Sequence, residues 1–411
     1  MQFDFLPSVW QNVWLAFKYV FILSPIWLPL ALGYAFLNAW INYRRRKFWS
    51  TQTMMLLEVK FPREVSKGPA AMEVILGAFH QGGGEGTWVD RIWYGKTRPW
   101  FSLELVSDGG KIHFYIWTRA ALRNVIEAQI YAQFPEVEIF EVPDYTIPYY
   151  YDPARNNIAG GELALTKPDP YPIKTYVDYA LEGDPTDTTK VDPMTPLLET
   201  LGAITEGHQI WIQILIRAHK KTRIWDVFGE KEDAWQDQAK KEKDTIIAKY
   251  KGEGDKAVSR MPTKGETDMI AALERSVTKL PFDCGIRFVY IADKDKFSSA
   301  FSGSVNGAWK QYGSANLNGF KPSGWFGIFE YPWQDYFGRK KEWMKKALLE
   351  EFKLRSFFYS THKGKNFYSK PFVLNTEELA TIFHFPGPVA ATPTLERLPS
   401  RKVEAPSNLP M

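Results

Sequence analysis

Cysteine is almost absent from this 411-residue sequence, which contains a single one, Cys284. One thiol excludes an internal disulfide and a thiolate metal cage, and such low cysteine usage is typical of a reducing cytoplasm. Cys284 lies in the apolar, strand-like run FDCGIRFVYIA, so we expect it to be a small buried side chain. We therefore assign no chemistry to this residue.

Motifs that carry known catalytic chemistry are also missing. The sequence contains no G-x-x-x-x-G-K-[ST], H-E-x-x-H, G-x-S-x-G, C-x-x-C or G-x-G-x-x-G pattern. The nearest phosphate-binding shape, GSVNGAWK at 303–310, places a tryptophan where the lysine should be. The six histidines are scattered without metal-ligand spacing. We therefore predict no enzyme activity, no cofactor and no metal site, and a hydrolase of unknown type is the least favoured alternative.

Charge is missing from residues 19–41, and the basic cluster Arg44, Arg45, Arg46 and Lys47 follows this run. At about 1.5 Å per residue, such a run is long enough to cross a hydrocarbon core of about 30 Å as a helix. Lys and Arg resist transfer across the bilayer, so the cluster should stay on the cytoplasmic side. We predict a short segment over 1–18, one transmembrane helix over 19–41, and a cytoplasmic body anchored in the cell membrane.

A cleaved signal peptide and a buried core helix are the alternatives to a membrane anchor. A signal peptide carries its positive charge before the apolar run, whereas here only Lys18 precedes it and the bulky Tyr43 and Trp49 follow it. A core helix of this length is not expected to contain Pro25 and Pro29, which membrane helices tolerate better. The aromatic residues at both ends are typical of interfacial belts, so the anchor is favoured.

Strand and helix patterns alternate over residues 52–145. The predicted strands are 55–62, 100–107, 111–118 and 137–142, and the predicted helices are 69–81 and 119–134. Asp108-Gly109-Gly110 joins the second and third strands, which is a strong hairpin signal. The order β-α-β-β-α-β predicts a ferredoxin-like domain and places the protein in the α+β class.

Residues 146–200 are rich in turn-forming residues, and we predict a connector with one strand at 171–181 and one short helix at 193–204. A second α+β domain is predicted over 201–375. It begins with HQIWIQILIRAHK, whose isoleucines at alternate positions predict a strand with one fully apolar face. The order of its elements indicates a degenerate copy of the first domain.

Residues 376–411 combine a short helix with a proline-rich tail. Asn375 caps the helix, with Glu378 three residues later, and Pro386 and Gly387 end it. We predict that this segment binds a partner through exposed apolar anchors and basic residues of the tail, namely Leu379, Ile382, Phe383, Phe385, Arg397, Arg401 and Lys402. The alternative is that the helix packs into the core of the second domain.

The run FVLNTEELATIFHFPGP at 372–388, followed by SRKVEAPSNLP, resembles the region that precedes the nucleotide-binding core in membrane-anchored type IV secretion and conjugation ATPases. Those proteins are relatives of the coupling-protein and HerA-type DNA translocases. SLELVSDGGKIHFYI, YPIKTYVDY, VDPMTPLLETLG and GHQIWIQILIR are similar to blocks of the same portion. The Walker-type core of the family would begin near Met411, so we expect neither motor activity nor ATP-contacting residues here.

The resemblance implies a non-enzymatic scaffold of a bacterial type IV secretion or conjugative DNA-transfer machine, which docks a separate hexameric ATPase. We also expect the chain to form a homo-oligomer. The alternative is a membrane-tethered nucleic-acid-binding protein, because sheets of this topology can stack bases on exposed aromatic side chains. The strands WFSLELVS and KIHFYIWT lack the basic-aromatic pattern of RNA-recognition modules, and the net charge is only +4, so the scaffold is favoured.

Overall fold

The chain folds into two compact units. The computed structural model describes residues 5–62, 67–182, 191–220, 235–248, 263–323, 331–359 and 370–387. The first, called the N-terminal unit below, comprises Met1–Gln52 and Gly83–Thr97. The second, called the body, comprises Thr53–Gly82 and Arg98–Met411. The division separates a long apolar helical region from a large β-sheet.

Two helices, α1 (Phe5–Ile22) and α2 (Ser24–Ser50), form most of the N-terminal unit. They are bent by 67° where they meet at Leu23. Pro25 explains the break, because it has no N–H to donate to the carbonyl of Phe21. That carbonyl instead accepts a 2.7 Å hydrogen bond from the Ser24 hydroxyl. The prediction of one uninterrupted helix over residues 19–41 is therefore wrong.

Neither α1 nor α2 alone has both the length and the hydropathy expected of a membrane-spanning helix. Among the described residues, no single helix is both long enough and apolar enough to cross a membrane. Asn12–Ile22 and Ser24–Ser50 meet those criteria only when they are taken together across the bend. The transmembrane segment therefore stays a prediction.

The first half of the body has the predicted order of strands and helices. Its elements are β1 (Met54–Lys60), α3 (Pro69–Phe79), β2 (Trp100–Asp108), β3 (Lys111–Arg119), α4 (Arg123–Gln133) and β4 (Glu138–Val142). All neighbouring strands are antiparallel, in the spatial order β4-β1-β3-β2. Gly109 and Gly110 have φ of 57° and 96°, which suits glycine and makes the two-residue hairpin turn possible.

The second half of the body supplies the remaining strands. Its elements are β5 (Asn156–Leu165), α5 (Thr195–Gly202), β6 (His208–Ala218), α6 (Trp235–Ala248), α7 (Lys264–Val277), β7 (Pro281–Asp293), α8 (Ser299–Ala308), β8 (Phe320–Ser323), α9 (Arg339–Leu354), β9 (Phe372–Asn375) and α10 (Thr376–Ile382). The spatial order is β6-β7-β5-β8, and β9 pairs with β7. The connector predicted over 146–200 thus contains β5, whereas no strand is present over its predicted strand at 171–181.

One sheet unites the two halves, because β2 pairs with β6 from Trp100 opposite Arg217 to Asp108 opposite Gln209. In the part of the chain that the structure describes, this sheet has nine strands. The α+β class is therefore confirmed. The predicted ranges 52–145 and 201–375 do not form two separate sheets, since the edge strand of each half finds its partner in the other half.

The sheet is covered on both faces. On one face the alternate isoleucines of β6 join a large apolar core with side chains from α3, α4, α5, α8 and α10. On the other face Trp211 packs with Leu348, Leu349 and Phe352 of α9. The fully apolar face predicted for β6 is confirmed, and α9 explains why the opposite face is buried as well.

Candidate functional site

The basic cluster Arg44–Lys47 lies near the carboxyl-terminal end of α2. Cations are favoured there because the last turn of a helix carries partial negative charge. Arg44 donates a hydrogen bond from Nε to the carbonyl of Trp93, and its guanidinium lies 5.7 Å from the centre of the Trp40 ring. The structure thus places the predicted membrane-flanking residues at one end of the apolar helix.

The segment Gly83–Thr97 packs against this end of α2. The indole N–H of Trp40 donates to the carbonyl of Ile92 at 2.9 Å, and that of Trp49 donates to the Thr97 hydroxyl at 3.0 Å. Gly95 has a φ of 64°, and a Cβ at this position would overlap the backbone of Arg44. The two pieces of chain are therefore in contact along several residues, and Gly95 permits the close approach.

Large apolar side chains of the N-terminal unit are exposed to an unusual degree. Leu30 of α2 is 72% exposed, and Trp88 of the 83–97 segment is 63% exposed. Many neighbours in α1 and α2 are exposed as well, including Trp14, Phe17, Tyr19, Phe21, Ile26, Leu32, Tyr34 and Phe36. The apolar side chains of α1 and α2 are thus exposed in greater number than single surface hydrophobics would explain.

Net charge is distributed unevenly between the two units. The N-terminal unit contains seven Lys and Arg residues and three Asp and Glu residues, which gives it a net charge of +4. The body contains the remaining 44 basic and 44 acidic residues and is neutral. The entire positive excess of the chain therefore belongs to the apolar helices and the segment that packs on them.

The apolar residues predicted to bind a partner lie in the core of the body. Leu379, Ile382, Phe383 and Phe385 are each no more than 1% exposed. The rings of Phe61, Phe114 and Phe134 surround Phe385, with centroid distances of 5.1 to 6.2 Å. The prediction of an exposed docking helix is wrong, because these side chains are buried in the core and do not face solvent. Arg397, Arg401 and Lys402 lie outside the described residues.

Polar contacts also fix the position of α10. The predicted capping box is present, since the Asn375 side chain accepts a hydrogen bond from the Glu378 N–H and the Glu378 side chain accepts one from the Asn375 N–H. Glu378 also accepts a hydrogen bond from the Ile173 N–H. Burial raises the pKa of Glu378 to about 8, against the opposing effect of these two N–H donors. Glu377 pairs with Arg275 at 3.0 Å.

A buried ion-pair network, which the sequence analysis missed, lies on the opposite side of the sheet. Arg355 is 1% exposed and contacts both Glu104, at 3.0 Å, and Asp144. Burial disfavours the charge of Arg355, but the Glu104 carboxylate outweighs it and raises the guanidinium pKa. Tyr145 and Gln213 also donate to Glu104, so each of its oxygens has more than one donor. The network stabilises the contact between the loop after α9 and the sheet.

A cleft of about 140 Å³ lies near the ends of β6 and β7 and is one candidate for a small-molecule site. Its charged residues centre on Asp283, which contacts Arg217 at 2.6 Å and His219 at 2.6 Å. Burial alone would raise the pKa of Asp283, but Arg217 and His219 lower it to about 2. A carboxylate with both oxygens engaged and such a low pKa is a poor general base near neutral pH.

Metal-ligating side chains do not cluster in the part of the chain that the structure describes. Among those residues, no group of three or more His, Cys, Asp and Glu side chains could hold a metal ion. Cys284 is fully buried, and burial raises its thiol pKa well above the usual value. Its predicted role as a small buried side chain agrees with this position.

These features define an α+β protein that joins a nine-stranded antiparallel sheet, counted over its described strands, to an exposed apolar helical unit of net positive charge. The chain belongs to the family described as a domain of unknown function, DUF8128, whose model matches residues 50–397. No curated protein matches the chain. The family match begins where α2 ends, so it covers the 83–97 segment and the body up to residue 397 but not the apolar helices.

Proposed function

We propose that the protein is a membrane-anchored, non-enzymatic scaffold of a bacterial type IV secretion or conjugative DNA-transfer machine, in which it works with a hexameric ATPase. The observation that carries the anchoring is the exposed apolar surface of α1 and α2, which ends at a cluster of four cations. Exposed apolar side chains gain free energy in a hydrocarbon environment, at roughly 25 cal/mol for each Å² removed from water. The cations would hold the body on the cytoplasmic side.

The scaffold role is supported by the repeated topology of the body. In order along the sheet, the first half places its fourth, first, third and second strands, and the second half does the same with β8, β5, β7 and β6. This is the strand order of the ferredoxin-like arrangement. We propose that the halves are two copies of one such unit, with α6 and α7 inserted where the first half has its hairpin.

The ATPase partner is proposed from the resemblance of the sequence, and the burial of α10 changes where contact is expected. Because Leu379 and Phe385 are in the core, α10 fixes the starting point of the following chain rather than binding the partner itself. We therefore assign the contact to the tail after Gly387, with Arg397, Arg401 and Lys402 as its polar anchors. The body has no excess positive charge, which does not favour the nucleic-acid alternative.

Topology is tested with a reporter fused after Met411 of the full chain. Green fluorescent protein should fluoresce there and alkaline phosphatase should be inactive, because the first folds in the cytoplasm and the second only after export. An active phosphatase fusion would place the body outside the cell and would contradict the proposal.

Partner binding is tested by purifying the tagged full chain from solubilised membranes of its host. We expect a hexameric ATPase to be recovered with it, and the triple change Arg397→Ala, Arg401→Ala and Lys402→Ala should reduce that recovery. The matched control removes three exposed cations of the body, with Lys240→Ala, Lys241→Ala and Lys321→Ala. Equal loss of the ATPase in both variants would show a general charge effect and would argue against the tail as the binding site.

A further inference from the structure

We propose that the segment Gly83–Thr97 is a second membrane-contacting element, which lies in the headgroup layer of an anionic bilayer and fixes how deeply α2 is inserted. The inference rests on the proposed anchoring of α1 and α2. It assigns a function to a stretch whose sequence, GGEGTWVDRIWYGKT, otherwise resembles an ordinary glycine-rich loop.

The segment contacts α2 where the polarity of that helix changes. The uncharged run of α2 ends at Tyr43, and its cations begin at Arg44. The carbonyls of Ile92 and Trp93 accept hydrogen bonds from Trp40 and Arg44, on either side of that boundary. A helix that spans a bilayer has this boundary at the level of the headgroups. The segment is therefore held at the depth where a membrane interface would be.

The segment presents the side chains that are favoured at such an interface. Trp88 is 63% exposed, Trp93 58% and Tyr94 52%. Tryptophan and tyrosine prefer the headgroup region because each combines an apolar ring with a polar N–H or O–H. Three large aromatic side chains, exposed within seven residues, are otherwise unexpected at the surface of a loop.

The charges around these rings fit an anionic lipid surface. Within the segment, Asp90 is paired with Lys96 at 2.9 Å, which offsets its negative charge. The adjacent end of α2 carries the four cations Arg44–Lys47, and the unit as a whole has a net charge of +4. Each Lys or Arg near an anionic leaflet contributes about 1 kcal/mol of attraction. The same electrostatics would not hold the neutral body on that surface.

The backbone conformation of the segment brings it close to α2. Asp90–Tyr94 forms a π-helix that ends at Gly95, and the left-handed conformation of Gly95 brings the chain against Arg44. A Cβ at this position would collide with the backbone of α2, so Gly95→Ala should displace the segment from the helix. This substitution moves the aromatic rings of the segment without changing them, so it tests the effect of their position alone.

Depth-dependent fluorescence quenching tests the inference on the full chain in nanodiscs of phosphatidylcholine and phosphatidylglycerol. In a Cys284→Ala background, Trp88→Cys and Tyr94→Cys are labelled in turn with the environment-sensitive fluorophore NBD. The matched control is Ile147→Cys, because Ile147 is an apolar side chain of the body that is 73% exposed. Leu30→Cys reports on the insertion of α2. The quenchers are phosphatidylcholines that carry a nitroxide either on the headgroup or deep in the acyl chain.

The labels on Trp88→Cys and Tyr94→Cys should lose most of their fluorescence with the headgroup nitroxide and little with the deep one, while the Ile147→Cys label should lose little with either. Gly95→Ala should reduce the loss at position 88. Strong deep quenching of the Leu30→Cys label without quenching at positions 88 and 94 would overturn this inference and leave the anchoring intact. Absence of quenching at Leu30→Cys would instead overturn the anchoring, and equal quenching at Ile147→Cys would show that contact is not specific to the segment.

Discussion

The N-terminal unit and the body place apolar side chains in opposite environments. In the body, the isoleucines of β6 and the leucines of β2 are fully buried between helices, and basic and acidic residues are equal in number. In the N-terminal unit, leucines and aromatic residues of α1 and α2 are largely exposed, and basic residues exceed acidic ones by four. One chain thus contains a region that completes its own core and a region whose apolar side chains stay exposed.

Because of this difference, we expect stability and membrane association to depend on different residues. Substitutions in the body should change the free energy of unfolding, because its side chains are packed at the density of a core. Substitutions of exposed residues in α2 should leave unfolding unchanged and affect only the association of the chain with a bilayer. The predictions below compare matched changes in the two regions.

Deletion of residues 376–411 should have the largest effect. It removes Leu379, Ile382, Phe383 and Phe385 from the core, and each of these truncated to alanine would cost roughly 2–5 kcal/mol. Together these losses are as large as the roughly 5–15 kcal/mol that typically separates folded from unfolded states. We expect the cooperative thermal transition of the body to disappear in circular dichroism. Deletion of residues 388–411 alone removes none of the described core and should preserve that transition; an intact transition in both truncations would show that α10 is dispensable.

Breaking the buried ion pair should come next. Arg355→Met leaves the carboxylate of Glu104 buried without its guanidinium, and removal of one partner of such a pair typically costs about 3–5 kcal/mol. The control is Arg155→Met, because the Arg155 side chain is 75% exposed and its pair with Asp152 should contribute about 0–1 kcal/mol. Urea denaturation of both variants measures the difference. Similar midpoints would mean that the network around Glu104 contributes little to stability.

Two leucine substitutions compare the units directly. Leu103 in β2 is fully buried, so Leu103→Ala should cost about 2–5 kcal/mol through loss of packing and formation of a cavity. Leu30 in α2 is 72% exposed, and Leu30→Ala should change the stability of the body by less than about 0.5 kcal/mol. Denaturation in detergent micelles measures both. If Leu103→Ala left the transition unchanged, the assigned register of β2 would be wrong.

The pH dependence of stability should be smaller for each pH unit than the effects above. The pKa of Glu378 is raised from its ordinary 4.5 to about 8 in the folded state, so the folded body binds more protons there than the unfolded chain. The stability conferred at this carboxyl is fully present below pH 4.5 and is lost as the pH rises to 8, at a slope of at most about 1.4 kcal/mol per pH unit. Urea midpoints between pH 5 and 8 should therefore decrease with pH for the unmodified chain. Glu378→Gln should flatten this trend, and an unchanged slope in that variant would refute the assignment.

Local patterns in the sequence were sufficient for much of the sheet. The alternation in β2 and β6, the Asp-Gly hairpin and the capping box at Asn375 each depend on neighbouring residues, and each is present in the structure. β5 was missed because Gly160-Gly161 interrupts its apolar pattern and glycine weakens strand propensity. The break at Leu23 was missed because the apolar run continues through it.

Long-range contacts account for the remaining differences. Arg355 and Glu104 are 251 positions apart, and nothing near either residue indicates that they form a pair. The apolar side of α10 was predicted to face a partner, because the local pattern of a short helix gives the width of its apolar face but not its neighbour. In the structure that neighbour is the chain itself, through Phe61 and Phe114. The apolar side chains of α10 are therefore buried against other parts of the chain, whereas those of α1 and α2 stay exposed.

Extraction of native membranes with alkaline carbonate tests this contrast most directly. The full chain is expressed in cells and membranes are washed before immunoblotting, alongside a Leu30→Asp and Leu32→Asp variant and the matched body variant Ile147→Asp. We predict that the unmodified chain and Ile147→Asp remain in the membrane pellet, because the proposed anchoring would hold α1 and α2 in hydrocarbon, and that the double variant moves to the supernatant. Release of the unmodified chain by carbonate would contradict the anchoring and with it the division of the molecule into an embedded unit and a self-sufficient body.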